Sequence, residues 1–357
     1  MMKNLEKAEE DEESDLNRLP DEVLILIFNK VLDLKWLFWC SLVSKRFASL
    51  IPRVHAVSFT CPAPKFNSSL FRNPNPNNNR PTKLLKSLFK DVFAKPLKCF
   101  YNIVAPKRLS FTVDTDSICS ALSFLIKFRE VRYLRMEIDE SASARGGGAG
   151  VQSGGDEWLY KWRVNFRKKL ETFVFLSPKS LREMKPNDGE EGNAGSVLTR
   201  DELQQRANFA FCRLKEAFSF HGLLLNVIFY HRMLRSVVLT DRKKQGMVCV
   251  RDEELAALRD YLDSLTVMDF MSLTKTTAVP VRVKLWDVPV LRLPLSGYVM
   301  EGVIMVVVRL ADPNENFDIG GGDDNGGGAS IAGAFDEEGK EAYGEAVTQI
   351  MLNHMDK

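Results

Sequence analysis

The chain has 357 residues, which is enough for one small module and one larger domain. Hydrophobic residues make up 45% of it and charged residues 27%, proportions typical of a soluble globular protein. The longest apolar run in the middle of the chain, residues 223–230, is interrupted by Asn226 and is too short to cross a bilayer. Residues 1–15 are acidic and polar, so we expect no secretory signal, no membrane partner and a location in the nucleus or cytoplasm.

The small net charge of +2 hides a strong asymmetry along the chain. Residues 1–15 contain two lysines and seven acids, and residues 311–357 contain two lysines and eleven acids, so these ends carry −5 and −9. The remaining residues 16–310 therefore carry +16. This charge is compatible with nucleic acid, a membrane surface or an acidic protein partner, although a solvated lysine-rich surface is the commoner cause.

The residue types needed for common enzyme chemistry do not fall into recognisable motifs. The six cysteines form no Cys-x-x-Cys pair and the four histidines lack metal-ligand spacing, so we predict no disulfide or zinc framework. The sequence has no phosphate-binding Gly-Lys-[Ser/Thr] loop and no Gly-x-Ser-x-Gly nucleophile elbow. His221 and His231 have no evident nucleophile partner and are interpreted as core or surface residues. We therefore predict no cofactor, no metal and no catalysis.

Three short helices are predicted near the start of the chain. Pro20 suits a first helical position because its missing N–H would be unpaired there, and Asp21 and Glu22 place negative charge in the first turn. Asp33 and Ser44 are suitable N-caps for a second and a third helix. Helices spanning only about 35 residues bury little surface alone, so part of their apolar surface should face another surface. The apolar stripe of the first helix consists of Val23, Leu24, Ile27, Phe28 and Val31.

A Leu-Pro-acid-acid start at residues 19–22 and a Val-Ser-Lys-Arg-Phe close at residues 43–47 resemble the F-box of plant F-box proteins. In that family the module docks a substrate receptor onto the Skp-type adaptor of an SCF-type cullin–RING ubiquitin ligase. Periodicity alone also allows an ordinary helical hairpin packed on the rest of the chain. Trp39 departs from the family, whose members often carry Arg there, so its role is left open. The positions that match adaptor-binding positions of the family are Leu19, Pro20, Val23, Leu24, Ile27, Phe28, Leu37, Cys40, Val43 and Phe47.

The next predicted elements are strands, loops and one helix. Residues 54–59 form a short strand, and the Asn- and Pro-rich residues 62–81 form a loop that cannot build a core. Residues 131–138 alternate with period two, as a half-buried strand does. A strand is also predicted at 107–113, a helix at 116–128, and loops at 141–155, 185–195 and 320–333.

Residues 158–169 interleave aromatic and basic side chains, a pattern also found in platforms for single-stranded nucleic acid. We interpret the stretch instead as an amphipathic helix with Leu159, Trp162 and Phe166 toward the core and the cations outside. Nucleic acid is therefore not the preferred partner.

The second half of the chain alternates helices with strands. This alternation predicts an α/β fold with a largely parallel sheet and right-handed crossovers. An irregular leucine-rich-repeat-like arrangement is preferred over a compact α/β sandwich, although the repeat period is uneven. The predicted helices span 200–234 and 252–265, and the predicted strands are 170–176, 236–239, 247–250, 281–285, 290–293 and 302–310.

Residues 281–310 resemble the C-terminal signature of a plant F-box subfamily that includes the auxin-up-regulated F-box proteins. Trp286 and Tyr298 in this segment are candidates for binding the substrate protein, because aromatic residues concentrate at interface hot spots. The alternative is that both rings close the end of the sheet.

Together these features predict a non-catalytic protein built from five regions. The resemblance implies a substrate-recognition subunit of an SCF-type ubiquitin ligase, which binds a Skp-type adaptor through the F-box and an unknown protein target through the later domain. The alternatives are a basic nucleic-acid-binding or scaffold protein, or an F-box protein acting outside a ligase. The predicted regions are an acidic disordered tail (1–15), the F-box (16–55), a linker with an Asn/Pro-rich loop (56–99), an α/β substrate-recognition domain (100–310) and an acidic Gly-rich tail (311–357).

Overall fold

A computed structural model defines the fold of most of the chain. The residues it describes are 15–61, 66–67, 101–109, 112–113, 122, 125–139, 158–166, 170–184, 198–265, 279–310, 335 and 342–355. Outside these residues lie the predicted loops at 141–155, 185–195 and 320–333, most of the loop at 62–81, most of the helix at 116–128 and nearly all of the N-terminal acidic tail.

Short helices open the described part of the chain, as predicted. Pro20 is the N-cap of the second of them rather than its first helical residue. Leu32 adopts a positive φ of 58° and thereby turns the chain from that helix into the next. The bounds are α1 Asp15–Arg18, α2 Asp21–Val31, α3 Leu34–Val43 and α4 Lys45–Leu50, followed by a 3-10 turn at Ile51–Arg53.

Ten strands of the described residues form one mixed sheet in the order β1-β5-β9-β10-β6-β7-β12-β11-β3, with β8 also paired to β12. Two further short strands, β2 Phe66–Asn67 and β4 Thr112–Val113, pair only with each other. The bounds in the large sheet are β1 Ala56–Cys61, β3 Tyr101–Leu109, β5 Tyr133–Ile138, β6 Lys161–Phe166, β7 Leu170–Ser177, β8 Ser180–Glu183, β9 Ser236–Asp241, β10 Gly246–Arg251, β11 Val279–Leu293 and β12 Tyr298–Leu310.

Strand direction divides this sheet into two parts. The strands β1, β5 and β9 are parallel, and so are β10 and β6. The remaining pairs, from β9–β10 through to β11–β3, are antiparallel. The α/β class is confirmed, and the β1-β5-β9 ladder agrees with the predicted parallel pairing. The prediction of a largely parallel sheet is wrong for the second part, because tight connections such as the β11–β12 hairpin require antiparallel pairing.

Helices cover both faces of the sheet. On one face lie α5, Arg200–Tyr230, and α6, Asp252–Ser264, which confirm the predicted helices at 200–234 and 252–265. On the other face lies α7, Ala342–Met355, which packs on β11 and β12. The prediction of a tail at 311–357 is therefore wrong for α7. The many acidic residues in 311–357 led to the prediction of a tail, although α7 has an apolar stripe that it buries against the sheet. This stripe consists of Ala342, Tyr343, Ala346, Val347 and Ile350.

The predicted amphipathic helix at residues 158–169 is instead strand β6, as far as the structure describes it. Trp162 and Phe166 face the core as predicted, but Leu159 is exposed and Arg163 is buried. Arg163 donates hydrogen bonds to the carbonyl oxygens of Trp162 and Gln245, at 2.7 and 3.1 Å. A central strand covered on both faces has no polar side, so its pattern does not alternate and resembles a helix.

The predicted strands at 281–285 and 290–293 are parts of one strand, β11. Residues between them stay in register with β12, where Asp287 lies opposite Ile304 and Val288 lies opposite Val303. The predicted strand at 107–113 overlaps β3 and β4, and the other predicted strands match β1, β5, β7, β9, β10 and β12.

The N-terminal helices are joined directly to the edge of the sheet. The Asn29 Oδ1 atom of α2 accepts hydrogen bonds from the backbone N–H groups of His55 and Ala56, at 2.7 and 3.1 Å. The Ser58 N–H of β1 donates to the Leu32 carbonyl at 2.7 Å. One apolar core contains residues of α2, α3 and α4 together with residues of β1, β5 and α5. The helices and the sheet therefore share one hydrophobic core and are not separately packed units.

Candidate protein-docking surface

Helices α3 and α4 begin at the N-caps that the sequence predicts. The Asp33 Oδ1 atom accepts from the backbone N–H groups of Lys35 and Trp36, at 2.8 and 3.2 Å, at the start of α3. The Ser44 Oγ atom accepts from the Phe47 N–H at 3.1 Å at the start of α4. Each cap satisfies backbone donors that have no partner within the helix.

Arg46 connects the two ends of the motif. Its guanidinium donates to Asp21 Oδ1 from Nε at 2.9 Å and from Nη2 at 2.6 Å, and also donates from Nη2 to the Leu19 carbonyl. Both charged side chains remain partly solvated, so this ion pair contributes modestly to stability and chiefly fixes geometry. The contact explains why the Leu-Pro-acid-acid start and the Lys-Arg-Phe close occur together.

Four of the ten predicted adaptor-binding residues point into the chain's own core. Leu24, Phe28, Leu37 and Phe47 are all buried. The Phe28 and Phe47 rings meet edge to face with centroids 5.2 Å apart, which holds α2 against α4. In this structure these four side chains pack inside the helical module and are not exposed to a partner.

The other six predicted residues lie at or near the surface. Pro20, Val23, Ile27 and Val43 are exposed, and Leu19 and Cys40 are half-buried. Val43 is 73% exposed. Both α2 and α3 therefore have predicted residues at the surface.

Five further apolar residues on the same two helices are exposed, and sequence reasoning did not assign them. Leu26 is 66% exposed and Leu42 is 62% exposed. Trp39, whose role was left open, is 53% exposed. We call the complete surface the α2–α3 face, and it consists of Val23, Leu26, Ile27, Trp36, Phe38, Trp39, Leu42 and Val43.

The sequence of α3 contains a feature that could have identified its exposed apolar residues in advance. Its ten residues, Leu34–Val43, include only one charged residue and are apolar on every side. A helix that is apolar all round is normally buried on every side. Among the described residues, α3 contacts the core through Leu34, Leu37 and, in part, Cys40, and its outer side is left as an exposed apolar surface.

The two candidate substrate-binding residues lie elsewhere and are not brought to the α2–α3 face. Trp286 is buried in the core between the sheet and α7, and its indole Nε1 has no hydrogen-bond partner. Tyr298 is half-buried and packs against the same core. The burial of Trp286 favours the alternative in which this ring closes the sheet, whereas the substrate-binding role of Tyr298 stays a prediction.

Within the described residues, no three His, Cys, Asp or Glu side chains are grouped as metal ligands would be. The His221 ring stacks on Phe166 with centroids 5.0 Å apart, and its enclosed Nε2 has no hydrogen-bond partner. Desolvation lowers the pKa of His221 to about 4, so the ring is neutral in the folded protein near pH 7. His221, interpreted from the sequence as a core or surface residue, is half-buried and stacks on the core residue Phe166. No described helix combines the length and apolar character needed to span a membrane.

The geometry defines a class of protein in which a small module of helices with exposed apolar residues is built onto an α/β domain. Comparison with known proteins agrees with this class. A family model described as F-box-like matches residues 16–55. No solved structure matches the chain.

Curated relatives from Arabidopsis thaliana cover most of the chain. F-box protein At1g30200 is 31% identical over 324 residues, and F-box protein At4g18380 is 30% identical over 329 residues, with 82% of each chain covered in both cases. F-box protein AUF2 is 27% identical over 335 residues, which cover 93% of this chain and 94% of the relative. The chain belongs to the plant F-box proteins, which confirms the family predicted from its N-terminal motif.

Proposed function

We propose that this F-box protein is the substrate-recognition subunit of an SCF-type ubiquitin ligase. The α2–α3 face binds a Skp-type adaptor, and the α/β domain binds a protein target. The ligase's charged conjugating enzyme is then held near lysines of that target, so effective concentration rather than chemistry supplied by this chain drives the reaction. The cell compartment we propose is the nucleus, the cytoplasm or both.

The observation that carries this proposal is the size of the exposed apolar α2–α3 face. Eight large apolar side chains of two adjacent helices lie at the surface there. Single exposed apolar residues are ordinary, but eight on two neighbouring short helices are typical of an interface. Trp36 and Trp39 add the residue type that contributes most per side chain at interface centres.

The connection between the helices and the sheet supports a role in positioning a target. The Asn29 and Leu32 hydrogen bonds tie α2 to β1, and their shared core leaves no free hinge between them. A target on the α/β domain would therefore keep a fixed orientation relative to an adaptor on the α2–α3 face. Fixed orientation limits which lysines can reach the conjugating enzyme.

The direct experiment is co-purification of the full chain with a plant Skp-type adaptor. A Leu42→Asp and Val43→Asp double variant should reduce adaptor affinity by about thirtyfold or more, because each change places a charge in an apolar contact. A Leu352→Asp variant is the matched control, since Leu352 is 62% exposed, like Leu42, but lies on α7. Circular dichroism should show unchanged folding in both, and unchanged adaptor recovery with the double variant would refute the assigned surface.

A second measurement separates a ligase subunit from an F-box protein that acts outside a ligase. The wild-type chain, bound to its adaptor, is incubated with a purified cullin–RING pair. Recovery of the cullin through the adaptor supports the ligase role. Adaptor binding without cullin recovery would favour the alternative role.

A further inference from the structure

Three turns that lead from a helix into a parallel strand lie side by side at one edge of the sheet. The strand starts are in register, with Ala56 opposite Tyr133 and Tyr133 opposite Ser236. The residues before them, 51–55, 128–132 and 231–235, therefore occupy equivalent places in the β1-β5-β9 ladder. We call this surface the turn edge. It is defined by exposed residues in and next to the three turns: Arg53, Ile126, Lys127, Arg129, Phe229, Tyr230, Arg232 and Met233.

Hydrogen bonds hold the three turns together. The Arg129 N–H donates to the Pro52 carbonyl at 3.0 Å, which joins the first turn to the second. The buried His231 side chain hydrogen-bonds the backbone of Phe128, and the Arg235 N–H donates to the Arg132 carbonyl at 2.7 Å. The turn edge is therefore a built surface that begins directly after the F-box helices.

Large apolar side chains are exposed along this edge. Ile126, Phe229, Tyr230 and Met233 are each between 41% and 50% exposed. The Phe229 and Tyr230 rings meet edge to face with centroids 5.2 Å apart, and the Arg232 guanidinium lies 6.0 Å from the Phe229 ring centre. An apolar group rimmed by arginine is the usual composition of a protein interface centre.

A cavity of about 620 Å³ opens between the first two turns. Its volume lies within the range of sites that enclose side chains or small ligands. Pro52 and Ile126 are the apolar residues of its wall, and they would contact an apolar side chain that a partner places there. The lining residues are Ser49, Pro52, Arg53, Ile126, Lys127, Arg129 and Glu130.

The charges of the edge favour an acidic occupant. Glu130 lies 3.8 Å from Arg53, and Asp263 lies 2.8 Å from Arg232. The residues that line the cavity include three cations, Arg53, Lys127 and Arg129, and one acid, Glu130. None of the residues that line the cavity is aromatic, so the cavity itself offers no flat ring on which a nucleic-acid base could stack.

We propose that the turn edge binds an acidic segment of the target protein, with one large apolar side chain of that segment seated in the cavity. The inference rests on the proposed substrate-receptor function and specifies the class of target sequence. The arginines and Lys127 contact the acidic residues, while Met233 and Phe229 contact apolar atoms beside the anchor.

The probe is an array of synthetic peptides of about twelve residues, a length that spans an edge of this kind. One set is rich in Asp and Glu around a single Phe, Leu or Trp. Two matched sets replace the acids by Lys or the anchor by Ser. The full-length chain in complex with its adaptor is applied, and affinities are measured by fluorescence anisotropy.

The acidic, anchored set should bind best and should weaken as salt rises from about 0.05 M to about 0.3 M. Met233→Ser and Arg129→Glu should each reduce affinity about tenfold. Leu295→Ser and Arg292→Glu are matched controls at exposed positions on the β11–β12 hairpin and should leave peptide affinity unchanged.

The inference is overturned if the acidic set binds no better than the lysine set, or if both edge variants bind like the wild-type chain. It is also overturned if a single-stranded oligonucleotide binds more tightly than every peptide and depends on Arg129 alone. Adaptor recovery is measured for each variant. A failed peptide test with intact adaptor binding would leave the proposed function standing.

Discussion

Single residues set the geometry of this protein where two elements approach closely. Gly246 of β10 lies against the Trp162 ring, and a Cβ atom there would lie 2.2 Å from two ring carbons. Trp162 is fully buried, with the Phe173 and Phe220 ring centroids 5.9 and 5.3 Å away, so its ring has little room to move. The parallel contact between β10 and β6 therefore requires glycine at this position.

Gly246→Ala should lower the free energy of unfolding by about 2–3 kcal/mol, the usual cost of overpacking a rigid core. Gly297→Ala is the matched control, because its Cβ would meet no atom and its φ of 78° alone disfavours alanine. That strain costs about 1–2 kcal/mol. Urea denaturation measures both, and a larger loss at Gly297 than at Gly246 would contradict the packing argument.

His221 should make stability depend on pH on the acid side. Its folded pKa of about 4 lies below the unfolded value of 6.5, so between these pH values the unfolded state binds more protons. Stability due to the neutral ring is complete above pH 6.5 and falls as the pH drops toward 4, by up to about 1.4 kcal/mol per pH unit.

His221→Phe keeps a ring stacked on Phe166 and removes the titrating group. Denaturant unfolding at several pH values between 4 and 7 should show a flatter profile for this variant than for the wild-type chain. Identical profiles would mean that another group causes the acid dependence.

At the scale of elements, α7 tests whether the end of the chain belongs to the fold. The Glu345 carboxylate accepts hydrogen bonds from the backbone N–H groups of Leu295 and Ser296, at 2.8 and 2.7 Å, so α7 also fixes the β11–β12 turn. Val347 is fully buried against the sheet, whereas Leu352 on the same helix is exposed. A charged substitution on the buried side of α7 should therefore destabilise the protein, whereas one on its exposed side should not.

Val347→Asp should cost about 3 kcal/mol or more and reduce soluble yield, because it buries an unpaired charge. Leu352→Asp should change stability by less than about 0.5 kcal/mol, as surface substitutions usually do. Thermal unfolding of the two variants measures the difference. Equal unfolding temperatures for the two variants would contradict the packing of α7 on the sheet and would support the predicted tail instead.

Sequence reasoning found elements more reliably than it found their partners. The caps at Asp33 and Ser44 and the helix that begins at Arg200 could be predicted, because capping and 3.6-residue periodicity are local. Strand direction could not, because it depends on connections that the local pattern does not encode. The exposed Trp39 and Leu42 were missed since apolar residues are assigned to a core by default, and only the tertiary structure shows which side of α3 is already covered.

At the scale of the whole molecule, the F-box and the α/β domain form one packed unit at the β1 edge. Asn29 is the polar side chain that joins them, because it accepts from two β1-side amides while donating to the Ile25 carbonyl within α2 at 2.9 Å. The α2–α3 face lies on the outer side of the same helices. A substitution that weakens the attachment of α2 to the sheet should therefore leave adaptor binding unchanged, and a substitution on the α2–α3 face should leave that attachment unchanged.

Asn29→Ala should lower the free energy of unfolding by about 1–3 kcal/mol, because the His55 and Ala56 N–H groups lose their acceptor. Hydrogen exchange should become at least about tenfold faster at these two amides, while adaptor affinity stays within about twofold. Asn226→Ala is the matched control, since Asn226 makes the same local bond, to the Gly222 carbonyl at 2.8 Å, with no bond to a second element among those described. If Asn29→Ala weakened adaptor binding as much as the Leu42→Asp and Val43→Asp pair, the α2–α3 face would depend on the sheet for its shape. The separation of docking from coupling would then be wrong.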